Sequence, residues 1–298
     1  MMGFRSGFIA VVGRPNVGKS TLINRVLGEK ITITSDKPQT TRNRIQLIAT
    51  DEDSQMIFLD TPGIQKPKNA LGKYMYDVSV GTLAEVDVVL CLVDTTEYHG
   101  PLEELIFSAL KKVKGKTPII LGINKIDQRQ KEEILPLIAY YDELGLFDEI
   151  IPLSAQEGDN VDRVMETLKS HLPEGPMYYP EDMVTDQPEK FVVAELIREK
   201  ALEQLSQEVP HGIAVAVESM KPRKDKDLVD VEATIFVERE SHKAIVIGKK
   251  GARLKAIGSA ARRDIEALLG SRVNLSLWVK VVKNWREKEE TMKRFGYR

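Results

Sequence analysis

The octapeptide Gly13-Arg14-Pro15-Asn16-Val17-Gly18-Lys19-Ser20 has the spacing G-x-x-x-x-G-K-[ST], and the chemistry of that spacing is the cradling of phosphate. Gly13 and Gly18 permit a tight turn whose N–H groups face an anion. Lys19 is long enough to reach the β- and γ-phosphates, and Ser20 offers a hydroxyl to Mg²⁺. Thr21 directly follows and is counted with the loop. A second group with phosphate chemistry is Asp60-Thr61-Pro62-Gly63, which ends the apolar run Ile57-Phe58-Leu59. Asp60 at a strand end can hold Mg²⁺ through water, and Gly63 can give an unhindered N–H to the terminal phosphate. The polar segment 30–44 has the core Pro38-Gln39-Thr40-Thr41-Arg42. A Thr there can complete the Mg²⁺ shell with its hydroxyl and meet the γ-phosphate with its N–H. Thr41 is favoured and Thr40 is the alternative. Lys19, Thr41 and Gly63 are therefore the groups expected to act on the transferred phosphoryl.

Asn124-Lys125-Ile126-Asp127 could read a base. Guanine presents N1–H and N2–H₂ side by side, and one carboxylate accepts both. Adenine sets an acceptor against Asp127, a costly buried mismatch. Lys125 can lay its stem along the base, and Asn124 can tie this loop to the phosphate loop. Ser154-Ala155 follows the next apolar run, and its backbone N–H can meet guanine O6. The residue after Gly63 is Ile64. It cannot hydrogen-bond an attacking water, so no glutamine-type orientation of that water is expected.

A separate cluster lies far along the chain, at Gly248-Lys249-Lys250-Gly251. Two glycines let a single-stranded nucleic-acid backbone approach, and two lysines meet its phosphates. Ile245, Ile247, Leu254 and Val231 are apolar residues in the same region. Arg253, Lys255, Arg262 and Arg263 are candidate phosphate contacts without sequence information.

The elements that must hold these residues follow from periodicity. Strands are predicted over 8–12, 45–50, 55–60, 87–93, 118–123 and 149–152, and helices over 19–27, 101–112, 131–143 and 159–171. Alternation of this kind predicts a mostly parallel sheet with helices on both faces, binding its ligand beyond the carboxyl ends of the strands. The stretch 65–81 is read as a second mobile segment. Pro173, Pro176, Pro180 and Pro188 mark a linker. Beyond it the order is helix 189–206, strand 213–218, strand 228–237, helix, the Gly-Lys-Lys-Gly turn, helix, strand 273–281 and a basic tail.

Of the 43 Lys+Arg and 45 Asp+Glu in the 298 residues, 20 and 11 fall within 221–298, a local net of +9 against −11 for the rest. The C-terminal part is thus suited to a polyanion. Trp285, Phe295 and Tyr297, set among tail charges, raise a peripheral contact with an anionic membrane as a lesser expectation. One cysteine, Cys91, excludes a disulfide framework and suits a reducing cytoplasm. No apolar stretch reaches the ~18 residues of a membrane span. Met1 to Phe8 runs almost at once into the first strand, so no signal peptide is expected. His99, His171, His211 and His242 have no metal-ligand spacing.

Residues 8–172 resemble the translation-factor-like GTPases, with Gly13–Ser20, Thr41, Asp60–Gly63, Asn124–Asp127 and Ser154-Ala155 in that family's order. The wording of the phosphate loop and the Gln39-Thr40-Thr41-Arg42 segment are similar to the Era group in particular. The C-terminal region resembles a bacterial-type KH domain, whose loop clamps about four nucleotides, and this resemblance implies an apolar groove for bases beside the loop, with Ile245, Ile247, Leu254 and Val231 as candidate walls. The resemblance implies an α/β P-loop GTPase domain over 1–172, a linker over 173–188 and an α+β type II KH domain over 189–298. It also implies slow, Mg²⁺-dependent hydrolysis of GTP to GDP and phosphate without a catalytic glutamine. Asn16 matches an asparagine that binds K⁺ in related members. The implied partners are the 3′-terminal region of 16S ribosomal RNA and the 30S subunit during its maturation, with the chain a cytoplasmic monomer acting as a nucleotide-controlled switch.

Overall fold

The computed structural model describes residues 3–35, 37, 39–95, 100–206, 209–224 and 226–297. Pro38 of the Thr-rich segment and His99 lie outside the described residues. Two compact units are formed: Met1–Thr32 with Thr41–Lys68 and Gly72–Asp186, and Ile33–Thr40 with Asn69–Leu71 and Gln187–Arg298.

The first unit is built on a six-stranded sheet. Its chain order is β1 (Arg5–Gly13), α1 (Lys19–Leu27), β2 (Ile45–Thr50), β3 (Ser54–Asp60), α2 (Ala70–Thr82), β4 (Val88–Asp94), α3 (Pro101–Leu110), β5 (Ile119–Asn124), α4 (Lys131–Glu143), β6 (Glu149–Pro152) and α5 (Val161–His171). The spatial order is β2-β3-β1-β4-β5-β6. Every pairing is parallel except β2 with β3. β3, β4 and β5 are buried at every position, which is why they read as continuous apolar runs and not as alternating ones. Ala10, Val12, Val89, Cys91 and Leu121 share one core with residues of α3 and α4. On the other face α1 and α5 lie against β1, β3 and β4. Neighbouring strands β3 and β4 flank β1, so the chain reverses its direction of travel there, and a ligand crevice opens at such a switch point.

The stretch 65–81, expected as a mobile segment, carries helix α2. Leu71, Met75, Ser79 and Thr82 form its buried face at helical spacing. Half of that face is hydroxylic, so the apolar periodicity is broken in the sequence. Ser79 Oγ donates to Met75 O at 2.8 Å and Thr82 Oγ1 to Val78 O at 2.8 Å, which satisfies the hydroxyls inside the helix.

The proline-bearing stretch up to Asp186 groups with the first unit. Ile48 N–H donates to Val184 O at 2.9 Å, Leu47 bridges Thr185, and Thr185 Oγ1 donates to Gln46 O at 2.7 Å. The amide of Gln55 accepts from the N–H groups of Tyr178 (2.8 Å) and Tyr179 (3.0 Å). The edge strand β2 is thereby covered, which removes an open ladder of unpaired N–H and C=O groups.

The second unit continues as α6 (Glu189–Gln204), β7 (Ala214–Pro222), β8 (Leu228–Val237), α7 (Glu240–Ile247), α8 (Ala252–Leu269), β9 (Arg272–Val281) and α9 (Glu289–Arg294). β7 pairs antiparallel and β9 parallel with β8. The parallel pair requires a crossover, which α7 and α8 supply. Val193, Ile197, Val231, Ile235, Ile257 and Ile265 meet in its core. α6 is buried along most of its length, Arg198 (0% exposed) and Glu199 (1%) included. The segment Ile33–Thr40 accounts for this. Ile33 joins the same core, Thr34 N–H donates to Glu199 Oε1 at 2.8 Å, and Arg198 Nη2 donates to Thr40 O.

Two expectations change here. The C-terminal tail is folded: Trp285 (0% exposed) donates Nε1–H to Gly212 O at 2.8 Å, Phe295 stacks on Phe236 with centroids 4.4 Å apart, and Tyr297 stacks on Trp285 at 5.7 Å. Trp285 and Tyr297 are core, and Phe295 is half-buried against Phe236. Val231 is likewise fully buried beneath the sheet and forms no groove wall.

Candidate nucleotide site and nucleic-acid groove

The phosphate- and base-directed residues stand at or just past the carboxyl ends of β1, β3, β5 and β6, with Thr41 ahead of the antiparallel β2. The turn after β1 places Asn16 at its exposed tip with φ 65°, and Gly18 enters α1 with φ 98°. Lys19 is 6% exposed and its Nζ donates to Arg14 O at 3.0 Å. Burial pushes its ammonium down to about 8, although Asp60 pulls the other way. Ser20 Oγ donates to Asp60 Oδ2 at 2.9 Å, Thr41 Oγ1 lies 3.4 Å from the same oxygen, and the two hydroxyls are 3.2 Å apart. Burial pushes Asp60 up to about 6, against Lys19 and these two hydroxyls. Asp60 Oδ1 is buried and has no hydrogen-bond partner. Two hydroxyls and a carboxylate with one unsatisfied buried oxygen form an all-oxygen donor set of the kind Mg²⁺ takes. Thr41, not Thr40, reaches this cluster; Thr40 Oγ1 donates to Lys37 O at 2.6 Å.

The Asp60–Gly63 turn is pinned at three points. Thr61 Oγ1 donates to Val11 O at 2.8 Å, the Ser79 hydroxyl shares its one proton between Met75 O and Pro62 O, each at 2.8 Å, and Ile64 N–H donates to Gly13 O at 3.0 Å. Gly63 abuts the phosphate loop so closely that a Cβ there would stand 2.6 Å from Pro15 N and 2.8 Å from Pro15 Cα. Only glycine fits that approach. Ile64 is 0% exposed and packs in the core beneath the sheet edge.

Asn124 joins three loops. Its Nδ2 donates to Val17 O at 2.7 Å, and its Oδ1 accepts the Ala155 N–H at 2.8 Å. The amide expected to face guanine O6 is thus held by Asn124. Asp127 is exposed, with Oδ1 fixed by Ser154 Oγ at 2.6 Å. Lys125 takes φ 66° and pairs with Asp94 at 3.0 Å; Arg14 pairs with the other oxygen of Asp94 at 2.9 Å. Sequence reading passed over Asp94, and also Arg25 of α1, whose guanidinium bonds Ala155 O at 2.7 Å and Gln156 O. Asp94 carries the same signal as Asp60, an acid closing an apolar strand; Arg25 carries none.

In the second unit the Gly248–Gly251 turn is left-handed at Gly248 (φ 72°), Lys250 (φ 50°) and Gly251 (φ 77°). A Cβ on Gly248 would meet Arg253 Cβ at 2.8 Å. Arg253 Nη1 donates to Ile245 O at 2.8 Å, which fastens the turn to both helices. Lys249 and Lys250 are exposed, as are Lys255, Arg262 and Arg263. An open depression runs from this turn between α8 and β9, lined by Leu254, Lys255, Gly258, Arg262, Leu275 and Leu277. Ile245 is 41% exposed and Ile247 half-buried on α7. Leu254, Leu275 and Leu277 are set among Ser259, Asn274 and the exposed cations Lys255 and Arg262, a mixture that takes stacked bases and phosphates together.

Residues 8–125 match the model of the 50S ribosome-binding GTPase family, and residues 208–286 match that of the KH domain. The chain is 55% identical over 295 residues to GTPase Era of Clostridioides difficile (strain 630), covering 99% of each chain. To GTPase Era of Alkaliphilus metalliredigens (strain QYMF) it is 54% identical, over 99% of this chain and all of that one. A crystal structure of a variant of Aquifex aeolicus Era bound to GDP and AlF₄⁻ superposes with a TM-score of 0.94 at 42% identity, over 99% of both chains. A crystal structure of Era in complex with MgGDPNP and nucleotides 1506–1542 of 16S ribosomal RNA gives a TM-score of 0.94 at 43% identity, again over 99% of each chain. With a phosphate loop, a base-reading loop and a Gly-x-x-Gly groove in one chain, and with this identity along its full length, the chain belongs to the Era family of GTPases.

Proposed function

We propose that this GTPase is a guanine-nucleotide switch that binds the 3′-terminal region of 16S ribosomal RNA through the groove between α8 and β9, and that it acts in maturation of the 30S subunit. The observation that supports this most directly is the groove itself: leucines set among polar and cationic side chains, with a left-handed Gly-Lys-Lys-Gly turn at one end. The relative bound to nucleotides 1506–1542 of 16S ribosomal RNA shares 43% identity with this chain.

At the nucleotide site, Gly13 to Thr21 wrap the phosphates, Asp127 accepts guanine N1–H and N2–H₂, and Ser154 holds that carboxylate in place. Ser20, Thr41 and, through water, Asp60 are the residues that hold Mg²⁺, and their donor set fits it. Mg²⁺ supplies positive charge to the phosphate oxygens. Lys19 and the Gly63 N–H add donors where charge grows on the transferred group, as water attacks in line. The Ile64 side chain lies in the core, so turnover relies on these groups and is slow. Asn16, at the exposed tip of the loop, is the residue we assign to K⁺. Equal GTP turnover in K⁺ and Na⁺ for the wild type and Asn16→Ala removes that assignment.

RNA affinity is expected to depend on whether GTP or GDP is bound, because Thr41 and Gly63 sense the γ-phosphate. Crosslinking to total cellular RNA, with and without a non-hydrolysable GTP analogue, tests partner and coupling together. Recovery of 16S 3′-end sequence in an analogue-dependent amount is the expected result; recovery of unrelated RNA overturns the partner. Displacement of labelled GTP by ATP as readily as by GTP would overturn the guanine assignment.

We also read the chain as a cytoplasmic monomer. No helix among the described residues is long and apolar enough to cross a membrane. Because Trp285 and Tyr297 are core residues, a peripheral membrane contact would rest on the basic side chains alone.

A further inference from the structure

Beneath the proposed base site lies a buried ionic cluster that the nucleotide motifs do not account for. β4 ends at Asp94, which is 6% exposed. Its Oδ1 accepts from Arg14 Nη2 at 2.9 Å and its Oδ2 from Lys125 Nζ at 3.0 Å. The two cations come from different loops, one wrapping phosphate and one flanking the base. Arg14 also lies 3.5 Å from Glu103 of α3 through Nε, and Tyr141 Oη of α4 reaches the same Glu103 oxygen at 3.5 Å. Thr95, next to Asp94, donates its hydroxyl to Lys125 O at 3.3 Å. The register explains the meeting, since Asp94 pairs with Asn124 across β4 and β5 and the residues just beyond each strand are neighbours.

We infer that Asp94 is a positioning residue for guanine-nucleotide binding, which fixes the Lys125 ammonium and the Arg14 guanidinium on one carboxylate. The inference rests on the reading that the Lys125 stem lies along the base. A lysine has four rotatable side-chain bonds, and freezing them on binding costs conformational entropy. Held at both ends, by its φ 66° backbone and by Asp94, the stem is ordered before the nucleotide arrives, so that cost is not charged to binding. The clamp is also a second tie between the two loops, beside the Asn124–Val17 bond. The side chain of Arg14, within the phosphate-loop motif, is turned toward carboxylates.

The test is a double-mutant cycle on the full chain, with a fluorescent GDP analogue and steady-state GTP turnover. Lys125→Ala, Asp94→Ala and the pair are compared with wild type. Asp94→Ala is expected to raise the dissociation constant about tenfold, chiefly through faster release. The KM for GTP should rise in step while kcat stays within about twofold, as for lost uniform binding. In the Lys125→Ala background the Asp94 substitution should add less than about twofold. Additive losses, a fall in kcat at unchanged KM, or an Asp94→Ala protein with wild-type release overturn the inference. Should Asp94→Ala not fold, Asp94→Asn, which preserves shape and removes the charge, decides it by the same readouts. If Lys125→Ala itself binds GDP as wild type does, the base-site reading fails first, a result distinct from failure of Asp94 alone.

Discussion

Ser154 Oγ donates to Asp127 Oδ1 at 2.6 Å, and Ser154 Oγ itself accepts the Glu157 N–H at 3.1 Å. A relay of two bonds thus aims an exposed carboxylate from a fully buried serine. Ser154→Ala removes the aim and leaves the acceptor. The GDP dissociation constant should rise about fivefold to tenfold, the equivalent of about one hydrogen bond. Asp127→Asn changes the acceptor pair itself. Binding of guanine nucleotide should fall by about a hundredfold or more, while xanthine, which carries an oxygen at C2, should gain. Competition titration with GDP and xanthosine diphosphate reads both, and an unchanged GDP-to-XDP ratio for Asp127→Asn would falsify the base assignment.

Cation contact in the Gly-Lys-Lys-Gly turn has a salt signature. Lys249 and Lys250 are exposed and flank left-handed backbone. If both neutralise phosphates, the slope of log K against log salt should fall in magnitude by about 1.4 in the Lys249→Ala, Lys250→Ala protein, about 0.7 per lost contact on a single strand. Affinity titrations of a 16S 3′-end oligonucleotide at several salt concentrations measure it. A parallel shift without change of slope would show that the lysines act on the turn's shape alone.

Asp148 offers a pH test in the first unit. It accepts from Lys114 Nζ at 2.8 Å and from Ile119 N–H at 2.7 Å. Burial would raise its carboxyl, but these donors outweigh it and hold the group below the usual carboxylate range. A depressed carboxylate adds stability above its unfolded pKa of about 4, and loses it as pH falls through the folded value. Because this carboxylate is more than a third exposed, solvent screens its pairing, and Asp148→Ala should cost about 0.5–1 kcal/mol at pH 7. The gap from wild type should shrink below about pH 4, and urea unfolding at both pH values checks the closure.

Trp285 was a surface candidate by sequence and is a core residue by structure. Trp285→Ala should cost about 3–5 kcal/mol and leave Phe295 and Tyr297 without their common partner. Chemical denaturation followed by tryptophan-independent circular dichroism is the measurement. A loss below about 1 kcal/mol would return this ring to the surface.

The segment Ile33–Thr40 makes a further point measurable by amide exchange. Its Thr34 N–H is held by a glutamate that is itself 1% exposed. Glu199→Gln should raise exchange at Thr34 about tenfold, the worth of a charge-assisted bond weakened by about 1.4 kcal/mol. Exchange unchanged across 33–40 would show that packing of Ile33 alone protects it.

By itself the sequence located the Gly13–Ser20 turn, the strand-end acid Asp60, the strand-end loop Asn124–Asp127 and the Gly248–Gly251 turn. It did so because each depends on residue types at short fixed spacing, and local spacing survives any packing. It also determined both domain classes, through runs that are buried on two faces or alternate on one. Tertiary structure alone decided which threonine meets Asp60, since Thr40 and Thr41 differ only in where a loop carries them. Helix α2 was hidden because its buried face mixes Leu71 and Met75 with Ser79 and Thr82, whose hydroxyls are satisfied only once the helix exists. The aromatic residues of the C-terminal segment carry no periodicity that separates core from surface. Phe295 takes its place on Phe236, about sixty residues earlier in the chain, and Trp285 takes its place on Gly212 O. The same is true of Asp94. Its acid at a strand end is visible, but its two partners come from loops about 80 and 31 residues away, and only the closing of the sheet brings Arg14 and Lys125 onto one carboxylate.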